Sequence, residues 1–86
     1  MIENHQNHTL IRLPDLLRLT GLSRSSVYLR LNPKSKYFDE KFPAPVPLSS
    51  EIRGGVAWLL SEINLWIESR IQARAEITSI AKKKVT

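Results

Sequence analysis

The chain has 86 residues, no cysteine and a formal net charge of +5, with a pI near 10.0. That length suits one small domain, burying roughly 60–65% of the surface its unfolded form exposes, with a net stability of about 4 to 13 kcal/mol. The lack of cysteine excludes disulfides and thiolate metal sites. No apolar run approaches bilayer-spanning length and the start MIENHQNHT lacks the features of a secretory leader, so a cytoplasmic protein is expected.

Residues 1–9 are polar and without period, and a disordered tail is expected there. His5 and His8 within it are three apart, but two histidines without a third ligand make a poor metal site, so no metal or cofactor is expected. Residues 10–13 read as a short extended lead-in. Pro14 then opens a short helix, since it lacks an amide that a first helical turn does not use, and Gly21 supplies the bend that ends it. Leu13, Leu16, Leu17 and Thr20 recur at spacings of three and four and give this helix one apolar side, expected to pack on the helix that follows.

Ser23 is placed to cap that second helix. Val27 and Leu31 share its inner face and can join Leu16 and Leu22 in the core, whereas Ser25, Tyr28 and Leu29 lie on the opposite side and Arg24 at the boundary. Asn32-Pro33 stops the helix, because the residue before proline is pushed out of helical geometry. Two short helices joined by a turn containing glycine form the helix-turn-helix unit, whose second member enters a DNA major groove. From residue 16 to residue 36 the charged side chains are Arg18, Arg24, Arg30, Lys34 and Lys36, with no carboxylate among them. A one-signed segment over such a unit suits a phosphate-binding face; the plainer alternative is a solvated basic surface.

Residues 34–42 form a polar connection with aromatic residues and no assigned element. In APVPLSSEIRGGVAWLL, at residues 44–60, Val46 and Leu48 alternate with prolines, and Val56 and Trp58 flank Ala57, so a β-hairpin is expected. Pro45 and Pro47 place its first strand at an edge, since each lacks a ladder donor. Ser61 is the expected cap of a last helix, with Glu62 in its first turn and Ile63, Trp66, Ile67 and Ile71 as its buried stripe. Residues 75–86 either continue that helix, free to pair with a second copy, or fray before Lys82-Lys83-Lys84. Trp58 and Trp66 stand on apolar faces and read as core. The carboxylates are scattered, no serine stands in a nucleophile setting, and Gly54-Gly55 lies in the hairpin rather than between strand and helix, so an enzyme is not expected.

Four segments together resemble a known family: LTGLSRSSVY at residues 19–28, NPKSKYFDEKFPAP at 32–45, VAW at 56–58 and EINLWIESRI at 62–71. In order and spacing they are similar to the AlpA-like phage and prophage regulators, related to excisionases and to MerR-type winged-helix domains. The resemblance implies a mainly α fold with a small β-hairpin, a winged helix-turn-helix over residues 10–74, acting in the cytoplasm on double-stranded DNA without catalysis. It places Ser23, Arg24, Ser25 and Tyr28 at the start of the recognition helix and Arg53 in the wing.

The chemistry of each side chain then suggests its contact. Arg24 can pair with two acceptors of one guanine, Ser25 and Tyr28 can meet bases or phosphates, and Leu29 can touch a thymine methyl. Arg18, Arg30, Lys34 and Lys36 are phosphate candidates, and Arg53 a minor-groove candidate. Arg24 bracing its own helix and Tyr28 packing over the wing are the structural alternatives. A regulator of transcription, a DNA-bending directionality factor and a protein-interaction module using the last helix are the three functional readings. Because one half-site cannot define a genomic address, a homodimer or tandem assembly is expected.

Overall fold

The computed structural model describes residues 8–51 and 54–85, with side chains described as far as Thr78. In chain order the elements are β1 (Leu10–Ile11), α1 (Leu13–Thr20), α2 (Arg24–Leu31), β2 (Val46–Pro47), β3 (Val56–Leu59) and α3 (Leu60–Val85). The result is a mostly helical chain with a small three-stranded antiparallel sheet in the order β1-β3-β2.

The lead-in is a strand in its own right. Leu10 pairs with Leu59 and Ile11 with Trp58, so β1 closes one edge of the sheet. Thr9, in the stretch expected to be a disordered tail, joins the fold: its carbonyl accepts from the Leu60 amide at 2.8 Å. The first seven residues, including His5, lie outside the described ones. On the other edge Val46 pairs with Ala57 and Pro47 with Val56, where the missing proline donor faces away from the ladder. β3 is therefore central, and Ala57 and Trp58 are both buried instead of alternating with solvent. A central strand covered on both faces loses the period-two signature of a half-exposed one.

α1 enters from an extended Arg12, carries Pro14 in its first turn and ends at Gly21, whose φ of 75° is the left-handed region open to glycine. The Gly21 amide donates to the Leu17 carbonyl at 2.8 Å. The Thr20 hydroxyl donates to the Leu16 carbonyl at 2.8 Å and accepts from the Leu22 amide at 3.2 Å, which locks the turn from both sides. α2 then starts on the Ser23 cap, whose Oγ accepts from the Ser26 amide at 3.1 Å. Thus the helix, three-residue turn and helix read from residues 13–31 are present with their expected caps.

The end of the sheet departs from expectation. α3 begins at Leu60, directly from β3 and one residue ahead of Ser61. The Thr9 carbonyl takes the Leu60 amide, so the strand runs straight into the helix. α3 is helical to Val85.

Leu16, Val27, Phe42, Trp58, Ile63 and Trp66 form the core. The apolar side of α1 meets β3 and α3 as well as Val27 of α2, so the first helix is clamped between sheet and last helix rather than packed on its neighbour alone. Both tryptophans are buried, as their faces implied, and both indole N–H groups are satisfied: Trp58 Nε1 donates to the Pro43 carbonyl at 3.2 Å, and Trp66 Nε1 to Asp39 Oδ2 at 2.9 Å. Phe42 meets Trp66 edge-to-face at 5.0 Å between centroids. The connection after α2 is thus a wall of the core.

Asp39 links three parts of the fold. Its carboxylate also accepts from the Lys41 amide at 2.9 Å, and its own amide donates to the Arg30 carbonyl at 3.0 Å. Burial pushes this carboxyl up, but the Trp66 indole, the Lys41 amide and the charges of Arg70 and Arg30 outweigh it and hold it below its ordinary value of 3.8. A depressed carboxylate pKa stabilises the fold above the unfolded value, and that contribution is lost as pH falls through the folded one. Urea midpoints are accordingly expected to drop more steeply below about pH 4 in the native protein than in Asp39→Asn; parallel curves would remove Asp39 from the stability account.

Candidate nucleic-acid interface

α2 presents the outward face read from the sequence. Ser23, Arg24 and Ser25 are exposed at its start, and Tyr28 and Leu29 expose 47% and 40% of their surface a turn later. The inner face holds Val27 in the core, with Leu22 and Leu31 packed beside it. Arg24 makes no hydrogen bond or ion pair with another described residue. Its fork is therefore available to a ligand, as base readout requires.

The cations around this face divide into committed and available ones. Arg18 is ion-paired with Asp15 one turn back on α1, so folding supplies a carboxylate that the one-signed stretch after residue 15 did not reveal. Arg30 folds along its own helix, donating from Nη1 to the Ser26 carbonyl at 3.2 Å. Lys34 is exposed just past the end of α2, where its amide donates to Asn32 Oδ1 at 3.0 Å. Lys36 is exposed as well, its Nζ 5.2 Å from the centre of the Tyr37 ring. Arg53 lies outside the described residues.

One cation was missed by sequence reasoning. Arg12 is exposed, and its guanidinium lies 3.1 Å from where a Cβ on Gly55 would stand. Gly55 has a φ of 85°, so a side chain there is disfavoured by the backbone as well as by Arg12. The signal was weak, because a lone arginine before a helix carries no pattern. Its position on the hairpin follows only from β1 pairing with β3.

A groove of about 620 Å³ lies elsewhere, between the 40–46 segment, the sheet and the start of α3, and contains no residue of α2. Phe42, Pro43, Leu65 and Trp66 make it largely apolar, with Glu40 and Glu62 among its lining. Among the described residues no group of three or more histidines and carboxylates is placed to hold a metal ion. No helix among them is long and apolar enough to cross a membrane.

The features converge on a small helix-turn-helix domain with an exposed, carboxylate-free helix face. Comparison with known proteins gives the family: the model for the prophage CP4-57 regulatory protein (AlpA) matches residues 9–71, and the chain belongs to the AlpA family of prophage regulatory proteins. It is similar to the DNA-binding transcriptional activator AlpA of Escherichia coli (strain K12), with 33% identity over 80% of this chain and 94% of that protein. It is also similar to the uncharacterized protein ORF88 of Enterobacteria phage P4, with 36% identity over 74% of this chain and 62% of that protein. No solved structure matches. The family is one of regulators, in keeping with a non-enzymatic role.

Proposed function

We propose that this chain is a DNA-binding transcriptional activator of prophage type that works in the cytoplasm as a winged helix-turn-helix, with α2 in the major groove and the β2–β3 hairpin beside it. The observation that carries this reading is the face of α2: Ser23, Arg24, Ser25, Tyr28 and Leu29 are exposed together on a rigidly capped helix, without a carboxylate among them. The E. coli relative described as a DNA-binding activator supports the same reading.

Arg24 is the base-reading residue, with Ser23, Ser25, Tyr28 and Leu29 supplying the remaining contacts within the groove. Lys34 and Lys36 hold phosphates. Arg18 and Arg30 serve the same end more weakly, because each is already engaged by the protein. Arg53, outside the described residues, is assigned the minor-groove contact by the family resemblance, and a homodimer or tandem pair supplies the second half-site.

The test is a titration of labelled duplex DNA at several salt concentrations. Each phosphate neutralised contributes a slope of about −0.9 in log affinity against log salt. Several phosphates engaged give a steep dependence; affinity independent of salt contradicts the proposal.

A further inference from the structure

The connection after α2 carries two rings that the core does not use. Tyr37 exposes 55% of its surface and Phe38 44%. Lys36 stacks its ammonium over the Tyr37 ring, and Lys34 stands exposed two residues before it.

The backbone beneath them is braced. The Ser35 amide donates to the Asn32 carbonyl at 2.9 Å, the Tyr37 amide to Ser35 Oγ at 2.9 Å and the Phe38 amide to the Ser35 carbonyl at 3.1 Å. The bond from the Asp39 amide to the Arg30 carbonyl ties the segment to the last turn of α2. The rings are therefore presented at the end of the candidate recognition helix instead of collapsing onto the protein. The carboxylates that follow are drawn away: Asp39 is held by the Trp66 indole, and Glu40 lines the groove toward α3.

We propose that Tyr37 and Phe38, with Lys34 and Lys36, form a second nucleic-acid contact, in which the rings lie against sugars of the duplex held by α2 and the lysines neutralise its phosphates. The inference rests on the DNA-binding reading above. Rings interleaved with charges of one sign fit a polyanion that also offers apolar sugar surfaces. An apolar protein surface fits poorly, since docking it here would strip water from two ammonium groups without a counter-charge.

The test uses the full chain and compares Tyr37→Ala/Phe38→Ala, Lys36→Gln and Arg24→Ala on specific and unrelated duplexes. The double variant is expected to melt like the native protein, because both rings are exposed. It should bind every duplex roughly tenfold more weakly, from the ring burial lost against the sugars, with an unchanged salt slope. Lys36→Gln should instead reduce the magnitude of the slope by about 0.9. If the double variant binds like the native chain while Arg24→Ala loses affinity, this second contact is wrong and the α2 assignment stands. Native protein without duplex affinity overturns both. A native oligomer that the double variant converts to monomer, with DNA affinity intact, assigns the patch to a second copy and overturns the proposal.

Discussion

Trp58→Ala is expected to cost about 3–5 kcal/mol and to leave the domain largely unfolded. Trp58 is fully buried in the central strand and lies in the core that joins α1, α2 and α3. Its truncation opens a cavity that the neighbouring strands, pinned by pairing on both edges of β3, cannot readily fill. It also removes the donor to the Pro43 carbonyl, leaving that acceptor to find water. A domain of 86 residues has only about 4 to 13 kcal/mol in total. Urea denaturation followed by circular dichroism reads the loss directly. Leu65→Ala is the control: that side chain is 65% exposed, and its removal should stay within about 0.5 kcal/mol. Equal losses in the two variants would mean that the sheet and Trp58 are not the centre of the core.

Arg24→Ala carries the second large effect, on binding instead of folding. Arg24 is the first residue of α2, exposed and without a described partner, so its loss should leave the melting temperature unchanged. A two-point contact to one base is worth about 1–3 kcal/mol of discrimination, or roughly 5- to 150-fold in affinity for the preferred site. Affinity for unrelated duplexes should fall much less. Lys34→Ala should lower both affinities together and reduce the magnitude of the salt slope by about 0.9. Competition between specific and unrelated duplexes separates the two patterns. Retention of full site preference by Arg24→Ala would move base recognition away from the start of α2.

The helix-turn-helix portion was legible because its signals are local. Pro14 in the first turn, Gly21 at a positive φ and Ser23 at a cap act within a few residues of themselves, and the structure has all three in those roles. The edge position of β2 followed from Pro47 for the same reason. What sequence reading missed depends on contacts distant in the chain. Phe42 and Asp39 are placed by Trp66, more than 20 residues later, and nothing in the polar run around them announces a core wall. β1 has only two residues, too short for a period, and exists because β3 offers it an open edge. α3 starts one residue ahead of Ser61 because β3 runs straight into it, with the Leu60 amide taken by Thr9, far upstream. On the candidate interface, the exposure of Arg24, Tyr28 and Leu29 followed from helical spacing. The pairing of Arg18 with Asp15 was hidden by starting the charge count one residue later.

Selection from a pool of random duplex DNA at low and near-physiological salt, with sequencing of the bound fraction, tests the central claim most directly. A recurrent motif that survives the higher salt, and is no longer enriched by Arg24→Ala, is the predicted result. Uniform retention that disappears as salt rises, with no motif at either concentration, would contradict sequence-specific regulation and leave α2 as a basic surface.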